Sequence, residues 1–219
     1  MMTTLTSPAI SRLLEQLYAR ADAATSPALA QVSPAEQDRL LRSKTEYLQV
    51  YSAIKELWLP VSRETGKLLY ALARSAQARH IIEFGTSFGI STIHMAAALR
   101  DNGGGRLITT EFEADKLAGA ARHFADAGLS DLIELRAGDA LDTLSRDLPQ
   151  QIDLVLLDGA KALYNDVLTL LEPRLRPGAL ILADNVNYCP EYVARVRSAS
   201  SGYLSVPFAE DIELSCRLA

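Results

Sequence analysis

Apolar residues recur along this chain at two different periods. Over the first sixty residues they return every three or four positions, which predicts helices over residues 10–20 and from 34 to about 59. The second helix carries Leu40, Leu41, Tyr47, Leu48, Tyr51, Ile54, Leu57 and Trp58 at its apolar positions. Ser33 followed by Pro34 supplies a cap and first turn for it, and residues 21–32, rich in Ala, Ser and Pro, read as a connection. A further helix over 64–76 precedes a change of pattern at His80. From there, short β-type runs alternate with longer helical segments, the signature of parallel βαβ units. Strands are predicted at 81–84, 106–110, 132–136, 153–157 and 179–183, with helices at 90–99, 114–127, 140–146, 163–171 and 191–197. Two closing β segments, 203–207 and 212–218, are separated by a short acidic turn and should pair antiparallel. The expectation is an α/β fold: a doubly wound, mostly parallel, seven-stranded sheet with an antiparallel C-terminal edge hairpin. Residues 1–60 read as a helical extension of the same domain and 61–219 as its body.

Composition narrows the class without choosing a function. With 219 residues, 48% hydrophobic and 22% charged, the chain is sized for one α/β core and has the balance of a soluble globular protein. Its net charge of −5 argues against a dominant nucleic-acid or anionic-membrane surface. The N-terminus lacks the basic start and apolar run of a signal peptide, and no stretch approaches the roughly 18 apolar residues of a spanning helix. The expected setting is therefore cytoplasmic, with no membrane partner. Cys189 and Cys216 have no metal or redox spacing and read as small apolar side chains.

In a doubly wound sheet, ligands bind beyond the carboxyl ends of the strands, so the residues after each strand carry most information. After the first strand comes Glu83-Phe84-Gly85-Thr86-Ser87-Phe88-Gly89. Gly85 and Gly89 either allow close approach of a ligand or simply make a tight turn. The third glycine of a dinucleotide fingerprint is missing, which counts against a nicotinamide dehydrogenase. Glu111 follows the second strand, where a carboxylate either binds a ribose diol or is merely solvated. Asp139 follows the third, facing an adenine amino group or capping the next helix. Asp158 ends the fourth strand and Asp184-Asn185 the fifth. These acids either cap helices or, on neighbouring strands, face each other across a hard cation with oxygen ligands.

Taken in order, Glu83-x-Gly85, Glu111 and Asp139 resemble the cofactor motifs of class I S-adenosylmethionine-dependent methyltransferases, over roughly residues 60 to 218. Asp158, Lys161, Tyr164 and Asp184-Asn185 resemble the metal-and-base motif of the catechol and caffeoyl-coenzyme A O-methyltransferases. Ala183-Asp184-Asn185-Val186 with Cys189-Pro190 is similar to the catechol branch. The resemblance implies a Rossmann-like methyltransferase fold and S-adenosylmethionine as cofactor, contacted by Glu83, Gly85, Ser91, Glu111, Asp139 and Asp158. It implies a divalent metal (Mg²⁺, with Mn²⁺ or Ca²⁺ as alternatives) on Asp158, Asp184 and Asn185, with Lys161 as general base. It further implies a small catechol-like hydroxylated aromatic as acceptor, and a homodimer. Departures exist: Ser87 stands where family members often carry an aromatic, Ile90 where they carry Tyr, and Ala160 where the plant branch has an acid. Val61 and Gly66 resemble a segment that closes over the cofactor. Two other readings remain at this point: an acceptor that is a hydroxylated tRNA base, and a non-catalytic cofactor-binding module.

Other residues are given structural roles. His80, His94 and His123 share no ligand spacing, and Tyr47, Tyr51 and Trp58, at helical spacing, are read as core more readily than as a substrate mouth or dimer contact. Tyr188, just beyond the acid pair, is a candidate substrate contact.

Overall fold

The computed structural model describes residues 2–26, 32–209 and 211–219. Five strands, β1 (His80–Phe84), β2 (Arg106–Glu111), β3 (Ile133–Ala137), β4 (Ile152–Leu157) and β5 (Leu175–Ala183), run parallel, and β6 (Tyr203–Phe208) and β7 (Ile212–Arg217) complete the sheet. The spatial order is β3-β2-β1-β4-β5-β7-β6, with β7 antiparallel to both β5 and β6. The expected doubly wound sheet and edge hairpin are therefore present. Of the acidic turn in that hairpin, Glu210 lies outside the described residues.

Strand alternation builds two cores. Ile81, Leu107, Leu154 and Leu156 face a layer containing α1 (Pro8–Ala23), α4 (Arg63–Ser75), α5 (Ile90–Asp101) and α6 (Ala114–Asp126), whereas Ile82, Ile108, Val155 and Leu157 face α8 (Tyr164–Leu171) and α9 (Pro190–Arg197). A sheet covered on both sides needs apolar residues at consecutive positions, and β4 is buried at all six. No described helix is long and apolar enough to cross a membrane.

The N-terminal expectations need correction. The helix expected from 34 to about 59 is two shorter ones, α2 (Pro34–Leu41) and α3 (Tyr47–Ala53). Ser33 does cap α2, accepting from the Glu36 amide at 3.3 Å. The break falls where the Ser43 hydroxyl accepts from the Glu46 amide at 3.1 Å, a local partner that competes with helical continuation. Leu59 ends the segment with φ of 46°, and Pro60 after it disfavours helical backbone. In the connection expected over 21–32, residues up to Ala23 belong to α1 and residues 27–31 lie outside the described set. β5 begins four residues earlier than expected, because an irregularity opposite β4 lets Leu175 pair with Ile152 before Leu180 pairs with Leu154. The helix expected over 140–146 closes after one turn, α7 (Ala140–Thr143).

Candidate active site

Backbone hydrogen bonds gather the carboxyl ends of the strands. The amide of Thr86 donates to Thr110 O, that of Gly138 to Glu111 O, that of Asp158 to Phe84 O and that of Asp184 to Leu157 O, all at 2.9–3.0 Å. Every loop that carries a candidate residue is thus stitched to its neighbour before any side chain is considered.

Gly85 lies at φ 102°, and a Cβ there would stand 2.6 Å from the Asp158 carbonyl oxygen. Only glycine lets these two loops close against each other. Behind the turn, Glu83 is fully buried and accepts hydrogen bonds from the hydroxyls of Ser91, Thr92 and Thr109. Burial pushes its carboxyl up to about 7 despite those three donors. Glu83 is therefore placed beneath the cavity rather than in its lining, with Ser91 between the two.

Glu111 is held by backbone. Its Oε2 accepts from the Ser87 amide, and its Oε1 from the amides of Phe112 and Glu113, each at 2.9 Å. A carboxylate has about four acceptor positions, so one remains for a ligand. Asp139 caps α7 through the Leu141 amide at 2.8 Å, and its other oxygen accepts from the Tyr47 hydroxyl.

These strand ends line a cavity whose roof comes from the N-terminal extension, Tyr47, Tyr51, Trp58 and Pro60, with Val61 next to it. Trp58 stacks on Phe88 with ring centroids 4.1 Å apart, and Ser87 donates its hydroxyl to Trp58 O. The aromatics read from sequence chiefly as core do pack against the two core clusters, and they line the cavity as well. Helical periodicity marked them as inward-facing, but not that they would face a ligand space. Gly66 is no part of the lining; it packs against the His94 ring, whose Nδ1 donates to Ile90 O. His123 similarly bonds Phe88 O.

A second cavity of about 390 Å³ adjoins the first, sharing Tyr51, Leu59, Pro60 and Asp158 with it. Its polar end holds Asp158, Lys161, Asp184, Asn185 and Tyr188. Lys161 Nζ donates to Asp158 Oδ1 at 2.8 Å and to the Tyr164 hydroxyl at 3.0 Å, and Tyr164 donates in turn to Asp184 O at 2.8 Å. Burial alone would lower the Lys161 pKa, but the Asp158 charge, with Tyr164 and Tyr51, outweighs it and holds the ammonium well above its ordinary value. Asp184 is pushed up to about 7 by burial and then by the charge of Asp158, with Lys161 opposing.

Sequence reasoning missed Asp211. It arrives from the turn just before β7, its Oδ2 accepting from Asn185 Nδ2 at 3.1 Å and its backbone oxygen from the Val186 amide at 2.9 Å. The only sequence signal was the acidic turn. Among the described residues no group of three His, Cys, Asp or Glu is placed to hold a metal; the donor set is two carboxylates, Asp158 and Asp184, plus the Asn185 amide, whose nitrogen is already spent on Asp211. That leaves oxygen donors only, one of them a buried carboxylate short of positive charge. Such a set fits a hard divalent cation and suits zinc poorly.

Comparison with known proteins agrees with this geometry. The profile of a methyltransferase-domain family matches residues 82–186. A catechol O-methyltransferase of Niastella koreensis is 37% identical over 145 residues, covering 64% of this chain and 65% of that protein. One from Sus scrofa is 31% identical over 152 residues, covering 65% of this chain and 80% of that one. Several further catechol O-methyltransferases are matched over about three-fifths of their own length. Among solved structures, the O-methyltransferase TomG of Streptomyces achromogenes, in complex with SAM, superposes with a TM-score of 0.64 at 26% identity, covering 91% of this chain and 99% of that one.

Proposed function

The chain belongs to the class I O-methyltransferases that include the catechol O-methyltransferases, and from that premise we propose that it moves a methyl group from S-adenosylmethionine to one hydroxyl of a small vicinal dihydroxy aromatic. The observation that carries this reading is the junction of the two cavities at Asp158, with Lys161 beside it. A donor in the first cavity and an acceptor in the second meet there.

In the first cavity, Glu111 offers its remaining acceptor position to the ribose diol, and the loop closed by Gly85 and Asp158 lies against the methionine end. Asp139, with Tyr47 on it, closes the adenine end. Glu83 acts from below by fixing Ser91 and the turn. In the second, Asp158, Asp184 and Asn185 would hold a divalent cation, Mg²⁺ or else Mn²⁺ or Ca²⁺, which when bound supplies positive charge that acidifies a nearby hydroxyl. Lys161, within reach of the same oxygens, would accept the hydroxyl proton from its neutral form, reached by releasing its own proton to solvent once a bound cation offsets the Asp158 charge that otherwise holds it. The acceptor oxygen then attacks the sulfonium methyl in line: the carbon–oxygen bond forms as the carbon–sulfur bond breaks, and the sulfonium leaves as a neutral thioether. The protein's work is alignment of two reactants and removal of one proton.

The test is methyl transfer from labelled S-adenosylmethionine to catechol by purified protein, with chelator and with Mg²⁺ restored, beside calorimetry of the demethylated cofactor. Labelled methyl ether formed only with metal is the expected result. Failure to bind either form of the cofactor would overturn the cofactor assignment, and full turnover after rigorous metal removal would overturn the metal.

A further inference from the structure

The second cavity is built of two unlike halves. Its polar end is acidic, holding Asp158 and Asp184, and among the described residues the only basic side chain lining it is Lys161, already paired with Asp158. Its far wall is largely aliphatic: Leu40 and Leu41 from α2, Val50 and Ile54 from α3, then Leu57 and Leu59, with Gln37 of α2 as a polar side chain among them. Two cations beside this end of the fold have other partners, although Arg42 also lies over the ring of Tyr188, 5.9 Å from its centroid. Arg42 binds Asp38 and the Asn187 carbonyl, and Lys44 binds Asp166 at 2.6 Å. At about 390 Å³, the space falls in the range of small-molecule sites, roughly 300–1,000 Å³, and a single ring would leave much of it empty.

Resting on the function proposed above, we infer that the acceptor is a neutral vicinal diol bearing an apolar substituent, an alkyl chain or a further ring, which lies against the α2–α3 wall. Two physical terms select it. Each methylene moved from water to that wall favours binding. A carboxylate or phosphate on the same substituent would be desolvated against that wall, where none of the described lining residues is a cation. An ammonium would lose its hydration against the same aliphatic wall. The selective element is the N-terminal extension, since the polar end can only recognise the diol.

The experiment is kcat/KM for 4-methyl-, 4-ethyl-, 4-propyl- and 4-butylcatechol against 3,4-dihydroxybenzoate and dopamine, at saturating cofactor and Mg²⁺. We expect a rise of about fourfold per methylene, with both charged acceptors at least tenfold below 4-ethylcatechol. A flat alkyl series, or a carboxylate that matches it, would overturn the inference while leaving methyl transfer to catechols intact. No turnover of any catechol, with the cofactor still bound by calorimetry, would instead overturn the function itself and this inference with it. A second arm uses Val50→Lys, whose long side chain would place a cation in the wall. The carboxylate-to-alkyl ratio should rise at least tenfold in that variant, with cofactor affinity reporting an intact fold; an unchanged ratio would show that the α2–α3 wall does not contact the substituent.

Discussion

Lys161 and Asp158 form an ion pair of 2.8 Å with side chains only 8% and 10% exposed. The pair lies where the two cavities join, so the group assigned to take a proton rests beside a carboxylate that keeps it charged. If Lys161 is the base, Lys161→Ala should slow the chemical step by about 10²–10⁴-fold, with cofactor affinity little changed. Lys161→Arg should not restore it, because a guanidinium stays protonated. Single-turnover rates at saturating metal check this; wild-type-like rates in Lys161→Ala would remove the residue from the reaction.

Glu111 is fixed by three backbone amides, so its free lone pair is offered to a ligand without reorganisation. Glu111→Ala should weaken S-adenosylmethionine binding by about 1.5–3 kcal/mol, the range for a hydrogen bond to a charged group. Calorimetry with the demethylated product provides the measurement, and equal affinity would place the ribose elsewhere.

Much of this arrangement is legible in the sequence because successive strands of a parallel sheet must end at the same edge. Glu111 is the last residue of its strand, Asp139, Asp158 and Asp184 are each the first acid after theirs, and the order of strands brings them together. Glu83 shows the limit: it stands within β1, where alternation turns its side chain toward Ser91, Thr92 and Thr109 and away from the cavity. Asp211 shows another. Its contact with Asn185 spans 26 residues and depends on the antiparallel return of β7, which no local pattern encodes. The split between α2 and α3 escaped because the run is otherwise helical in pattern and the break carries only a local signal, the Ser43 hydroxyl that accepts from the Glu46 amide.

Asp211 should matter to the metal through Asn185. Partners that orient a metal ligand typically contribute about 10–100-fold in affinity. Asp211→Ala is therefore expected to weaken Mn²⁺ binding to that extent, measured by titration calorimetry without acceptor, while cofactor affinity holds. Asp211→Asn keeps a hydrogen-bond acceptor but loses the charge. Retention of affinity in that variant would assign the effect to orientation; loss equal to that of Asp211→Ala would assign it to charge.

Glu83 predicts a pH-dependent stability. Its carboxyl is raised from 4.5 to about 7, so the folded protein keeps a proton that the unfolded chain has released. Between those two values the unfolded state binds fewer protons, and stability must fall as pH rises, by about 3 kcal/mol in all, levelling off above pH 7. Denaturant melts of wild type and Glu83→Gln from pH 4.5 to 8 isolate the contribution. The variant should lack this part of the slope, and parallel curves would show that Glu83 is ionised in the fold at little cost.

Tyr51, Leu59 and Pro60 belong to the walls of both cavities. If filling one chamber displaces this shared partition, the two ligands become thermodynamically dependent on one another. Whatever displacement of α3 accompanies filling of one chamber alters the other, and reciprocity requires the same factor in both directions. Donor and acceptor are then not independent variables in a steady-state analysis.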